Sequence, residues 1–151
     1  MTIEECKDIE VLRDLGSQWI KEVRNDLFGL DVDLDVVKAD LQHWMDTTEG
    51  AVLAAKIEGR IVGLFAVFAV PSYLGHQKVA LEKYWYARRG SMFVGPKLYV
   101  EAVRWAKAHG CSHLITSGSM TMRKQHDAIC RFLEKVGAQH FETSYIYNLR
   151  D

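Results

Sequence analysis

The sequence predicts an α/β fold on a single mixed sheet, with elements in the order (β)ααβββαβαβ(β). Three observations predict it. Two amphipathic helical patterns follow one another before residue 46. Three strand patterns then run in succession with only short turns between them. Beyond residue 93, helical and strand patterns alternate. Strands joined by tight turns pair antiparallel, and strands joined through a helix pair parallel. The sheet should therefore open as an antiparallel meander and close in βαβ units, within one domain spanning residues 1–151.

Each element has a local reason. Thr2 to Cys6 reads as a short edge strand. Apolar residues recur at Ile9, Leu12, Leu15, Trp19, Ile20 and Val23, with Lys7, Arg13, Lys21 and Arg24 on the other side. That is helical spacing. A loop over residues 25–33 precedes a second helix, Leu34 to Met45, whose apolar face is Leu34, Val37, Leu41, Trp44 and Met45. Ala51 to Ile57 and Ile61 to Val70 are apolar and β-branched around Glu58-Gly59-Arg60, which is a hairpin signal. Pro71 ends the second of these strands because it cannot donate to a ladder. Lys78 to Ala87 alternates Val79, Leu81, Lys83 and Trp85 with Ala80, Glu82, Tyr84 and Tyr86, a long third strand.

Gly95-Pro96 opens a helix that runs to about His109. Pro96 suits the first helical position, where its missing N–H matters least, and Gly110 is a left-handed stop. Its buried stripe is Leu98, Tyr99, Ala102, Val103 and Ala106. His113 to Thr116 is a short strand. Residues 126–136 form a helix that buries Ile129, Phe132, Leu133 and Val136 and stops at Gly137. Phe141 to Leu149, rich in Tyr and Ile, reads as a final strand.

Composition bounds the function. Apolar residues make 48% of the 151, charged residues 26%, which is a globular balance. Lys+Arg number 19 and Asp+Glu 20, a net charge of −1 that argues against a general nucleic-acid binder. The longest apolar stretch, Ile61 to Pro71, is about half the length that spans a bilayer, so no membrane partner is expected. The acidic start MTIEECKDIE lacks a signal-peptide pattern. Cys6, Cys111 and Cys130 form no CxxC pair. Both features point to a reducing, cytoplasmic setting. The histidines at 43, 76, 109, 113, 126 and 140 show no ligand spacing, so no metal is expected.

The chemistry concentrates around residues 82–97. A helix N-terminus carries unpaired N–H groups and partial positive charge, and so attracts an anion. Gly90 and Gly95 let a bulky phosphate approach the backbone, and Arg88, Arg89 and Lys97 add charge. Trp85 with Tyr84 and Tyr86 would form one wall of a cleft.

Three pieces in this order carry a family resemblance: the hairpin IEGRIVGLFAVF, the strand-loop-helix KYWYARRGSMFVGPKLYVEAVRWAKAHG, and ICRFLEKVGAQHF. Together they resemble the GNAT superfamily of N-acyltransferases over nearly the whole chain, in the form of its small bacterial and phage members. The loop Arg88 to Gly95 corresponds to that family's pyrophosphate loop, with Gly95 matching the last glycine and Phe93 at the penultimate glycine position.

The resemblance implies acetyl-CoA as co-substrate and direct attack by a primary amine on its thioester. The acceptor would be a small molecule or a peptide, and homodimerisation through the last strands is implied as well. Cofactor contacts fall on Tyr86, Ala87, Arg88, Arg89, Gly90, Ser91, Val94, Gly95 and Lys97, with Ser117 and His126 on the opposite lip. Glu82, in mid-strand, is the base candidate. The family's acidic tyrosine position holds Leu133, which donates nothing. Tyr99, Tyr145, Tyr147 and Ser119 are the hydroxyls available instead. The sequence does not choose among them, and Tyr145 stands as the catalytic candidate. Aspartates at 26, 31, 33 and 35 give an acidic rim that would suit a cationic amine. The departures at Phe93 and Leu133 support a second reading, a non-catalytic acyl-CoA-binding or protein-interaction module on the same fold.

Overall fold

The structure, a computed structural model, describes residues 1–23, 29–118 and 123–149. Asp26 and Ser119, both part of the sequence reading, lie outside them.

Five strands form one sheet in the order β1-β2-β3-β4-β5. They are β1 (Thr2–Glu5), β2 (Gly50–Ile57), β3 (Arg60–Pro71), β4 (Lys78–Ala87) and β5 (His113–Ile115). The first four pair antiparallel. β5 joins β4 in parallel after a helical crossover. The sheet is mixed for the reason read from the sequence. Among the described residues four helices accompany it: α1 (Arg13–Val23), entered through a 3-10 turn at Ile9–Leu12, α2 (Leu34–Met45), α3 (Val94–Ala108), which starts two residues before Pro96 so that the proline stands third, and α4 (Arg123–Lys135).

Strand alternation divides the apolar side chains between two cores. Val52, Ala54, Ile61, Leu64, Ala66 and Tyr86 face α1 and α2, where Leu12, Leu15 and Leu41 meet them. Leu53, Ala55, Val62, Phe65, Val67 and Ala80 face α3, which contributes Val94, Leu98, Ala102, Trp105 and Ala106. Trp105 was not in the predicted stripe; it is buried and stacks on His109 with centroids 3.9 Å apart.

Two local features set the position of α3. The β2–β3 turn holds Glu58 and Gly59 at φ of 50° and 78°, a two-residue hairpin of the kind that matches strand twist. On β3, Gly63 leaves no room for a side chain. A Cβ there would lie 2.7 Å from Val94 Cγ1 and 2.9 Å from the Tyr86 carbonyl oxygen. The first turn of α3 therefore rests directly on the β3–β4 backbone.

The expected strand over Phe141 to Leu149 does not form: residues 138–149 have no regular structure. Tyr145, Tyr147 and Leu149 are 92%, 84% and 87% exposed. A strand needs a partner edge, and β5 offers only three residues. With that strand absent, Val136 is also exposed rather than buried.

Candidate functional site

β4 and β5 part early. Their pairing covers Val79–Leu81 against His113–Ile115 and then stops. On its other edge β4 continues along β3 as far as Ala87, with one irregularity: Val67 opposes Glu82 and Ala66 opposes Tyr84, leaving Lys83 as the extra residue. That bulge resets the alternation. Glu82 shares a sheet face with Trp85 and Ala87, while Tyr84 and Tyr86 face α1 and α2.

Glu82 sits at the fork. Its carboxylate accepts from the Ser117 amide at 3.0 Å and from the Ser117 hydroxyl at 3.5 Å. Burial pushes its carboxyl up to about 7, against the pull of those two hydrogen bonds.

Beyond the fork lies a cleft of about 370 Å3, lined by Trp85, Ala87, the loop from Arg88 to Met92, Gly95, Pro96, and a face of α4. That face is Gln125, Ala128, Ile129 and Phe132. Trp85 and Phe132 line it and pack together with Tyr99, the three ring centroids lying 5.4 to 6.1 Å apart. The Gln125 contribution was missed by sequence reasoning, although Gln125, Ile129 and Phe132 follow helical spacing and that stripe was read only as core.

The loop presents an open helix end. Phe93 caps α3 with no side-chain hydrogen bond, and no acidic residue stands in the first turn. Ser91 and Val94 donate their amides within the loop, to Arg88 and Ser91 carbonyls. The amides of Met92, Phe93 and Gly95 make no such bond among the described residues. Gly90 holds φ of 79°, which turns the chain.

The predicted site residues divide. Arg88 does not turn its guanidinium toward the loop. It binds Asp14 at 2.6 Å, the Ile61 carbonyl at 3.1 Å, and Gln18. Asp14 is held below the usual carboxylate range, first by this bond and then by Arg60. Arg89 is exposed and makes no ion pair among the described residues, and Lys97 is exposed too. Val94 is buried against β3, and Ser91 shapes the loop. The Tyr86 side chain faces α1, so only its backbone runs along the cleft side. On the far lip, His126 Nδ1 bonds the Gly118 carbonyl oxygen, and Cys130 Sγ lies 3.8 Å from His126 Nε2. Tyr145 belongs to the exposed tail, because the strand that was to position it does not form.

No family model matches the chain, and no curated protein matches it in sequence. Solved structures do match. An aminoglycoside acetyltransferase from an uncultured soil metagenomic sample, in complex with sisomicin, is 15% identical and aligns over 99% of this chain and 96% of its own, with a TM-score of 0.69. A ribosomal-protein-alanine N-acetyltransferase from Brucella melitensis biovar Abortus 2308 is 15% identical over 99% and 100%, with a TM-score of 0.71. A transcriptional regulator from Bacillus halodurans C-125 is 20% identical over 98% and 99%, with a TM-score of 0.69. The chain has a GNAT-like fold. In the GNAT-like fold of this chain, the parting strands, the glycine loop and the α3 N-terminus stand together in one cleft. A fold does not fix an activity, so the chemistry is argued from these residues. Among the described residues, no helix is long and apolar enough to cross a membrane.

Proposed function

We propose that the chain is an acetyl-CoA-dependent N-acyltransferase acting on a primary amine of a small molecule or peptide. The observation that carries this reading is the uncapped α3 N-terminus at a cleft whose inner strand has lost its neighbour. A pyrophosphate there would satisfy the free amides of Met92, Phe93 and Gly95 and meet Arg89 and Lys97. The unpaired edge of β4 beyond Leu81 suits the amides of an extended pantetheine arm, which would add to it as a strand does. When bound, acetyl-CoA supplies an activated thioester carbonyl.

The attacking amine must be neutral. Glu82, at the fork and poised near 7, is suited to take its proton. The carbon–nitrogen bond forms as the carbon–sulfur bond breaks, and the thiolate is protonated by solvent. Leu133 offers no acid, and a thiolate needs one less than an alkoxide does. Three free cysteines and this co-substrate fit a cytoplasmic enzyme.

Calorimetric titration with acetyl-CoA tests the reading. Micromolar binding that Arg89→Ala weakens about tenfold, and amine acetylation that Glu82→Gln abolishes while binding survives, would support it. No binding at millimolar acetyl-CoA would overturn it. Binding with no turnover on any amine would leave the non-catalytic module.

A further inference from the structure

The three thiols of the chain are not equivalent. Cys6 is buried and donates to the Asp8 carbonyl oxygen at 3.1 Å, and burial pushes its thiol up. Burial pushes the Cys111 thiol up as well. A raised thiol holds little thiolate at neutral pH, and the thiolate is the reactive form. Cys130, on α4, is half-buried and stands beside an imidazole. Its Sγ lies 3.8 Å from His126 Nε2 and 4.0 Å from His126 Nδ1.

A third group orients that ring. His126 and Cys130 are four residues apart on α4, so their side chains share one face of the helix. His126 Nδ1–H donates to the Gly118 carbonyl oxygen. A carbonyl oxygen only accepts, so the hydrogen stands on Nδ1 and the lone pair on Nε2, the nitrogen nearer the sulfur. When Nε2 takes a proton, the same carbonyl oxygen stabilises the imidazolium. A nucleophile, a base beside it and a group that holds the base are the parts of an activated thiol.

The surroundings leave the pair its space and its charge. A Cβ at Gly118 would lie 2.6 Å from Cys130 Sγ and 3.6 Å from His126 Nδ1, so sulfur and ring occupy the room that a side chain there would need. Around the thiol on α4, Asp127, Arg131 and Glu134 are exposed. From the sheet, the nearest titratable group along the chain of contacts is Glu82, held by the amide of Ser117, the residue before Gly118. His126 is the titratable group that touches the sulfur. An imidazolium beside a sulfur favours its thiolate.

We propose that Cys130, activated by His126, is a reversible modification site for small disulfides at the lip of the cleft. It goes beyond acyl transfer and does not depend on it. The thiol proton passes to His126 Nε2. The thiolate attacks one sulfur of the disulfide, a new sulfur–sulfur bond forms as the old one breaks, and the released half leaves as a thiolate that takes up a proton. The site stands one residue from Ser117, so an adduct lies next to the segment that holds Glu82.

The probe is 2-hydroxyethyl disulfide, which is small and has no titratable group of its own. Peptide mass spectrometry after a timed quench should place the adduct on Cys130 first, with Cys6 and Cys111 lagging, and dithiothreitol should remove it. This comparison lies within the wild-type chain and needs no variant. At pH 7, wild type should react at Cys130 at least about tenfold faster than His126→Gln, and the two rates should converge by pH 10, where an ordinary thiol is ionised without help. Modification of Cys111 ahead of Cys130 would overturn the proposal. So would a His126→Gln variant that keeps pace at pH 7. A deficit in that variant that persists at pH 10 would overturn it too, because it would mean that the ring governs access to the sulfur and not its ionisation.

Discussion

The amide of Ser117 donates to the Glu82 carboxylate at 3.0 Å, joining residues 35 apart in sequence at the point where β4 and β5 separate. That bond favours the charged carboxylate, yet burial outweighs it and the carboxyl rises from an ordinary 4.5 to about 7.

The first prediction concerns pH, and stability and activity move in opposite directions. Between pH 4.5 and 7 the folded chain holds a proton on Glu82 that the unfolded chain has released. The stability linked to that proton is complete below about pH 4.5 and is lost as pH rises through 7. The loss is on the order of 1–3 kcal/mol, the upper end applying only to full desolvation. Glu82→Gln keeps the Ser117 bonds and abolishes the titration. Denaturant unfolding at pH 5 and pH 8 should show the variant gaining on wild type at pH 8 only. Parallel curves at both pH values would sink the idea. On the proposed acyltransferase reading, kcat/KM should rise through about pH 7, because a base acts unprotonated.

Neighbouring arginines should behave oppositely. The Arg88 side chain is 11% exposed and ties α1 to β3 through Asp14, Gln18 and the Ile61 carbonyl. Arg88→Ala should destabilise the fold by roughly 1–3 kcal/mol, since it removes charge-assisted bonds and packing. Arg89→Ala should leave the melting temperature within a degree or two and weaken acetyl-CoA binding. Thermal melts and titrations of both variants check this, and a stability loss at Arg89 equal to that at Arg88 would contradict it.

This pair also shows how far the sequence carries. The bounds of Lys78 to Ala87 and of Leu34 to Met45 were legible to the residue, because a strand pattern and a helical pattern begin and end there, but the faces within β4 were not. Arg88 and Arg89 looked equivalent in the sequence. Only the end of β4 fixes which of them faces α1, and the Lys83 bulge, invisible in the pattern, sets the face of every residue between. Glu82 was legible as a candidate, but its partner Ser117 was not, because no local spacing links them. Tyr145 to Tyr147 has strand composition, and composition cannot say whether an edge is there to receive it.

Gly63 links the sheet to the cleft. A Cβ there would meet Val94 Cγ1 at 2.7 Å, the Tyr86 carbonyl oxygen at 2.9 Å and Leu98 Cδ1 at 3.0 Å. Side chains can give way, but the β4 backbone cannot do so cheaply. Gly63→Ala should cost about 1–3 kcal/mol and lift the first turn of α3. Acetyl-CoA affinity should fall along with stability. Val94→Ala added to it should restore only part of the stability, because the carbonyl contact remains. Full restoration by Val94→Ala would show that the backbone contact is unimportant.

Gly118 offers a cleaner steric test. A Cβ there would lie 2.6 Å from Cys130 Sγ, with His126 Nδ1 at 3.6 Å and no backbone atom among its nearest neighbours. The obstruction is therefore one sulfur atom. Gly118→Ala should destabilise the chain, displace α4 from the lip, and loosen the bond from His126 to the Gly118 carbonyl oxygen. Cys130→Ala removes the sulfur and should itself cost little, since the thiol is only half-buried. The double variant should then be more stable than the two single losses added together, with a coupling of roughly 0.5–3 kcal/mol. A double-mutant cycle from denaturant unfolding measures it directly. Strict additivity would mean that the Cys130 sulfur is not the obstacle a side chain at residue 118 meets.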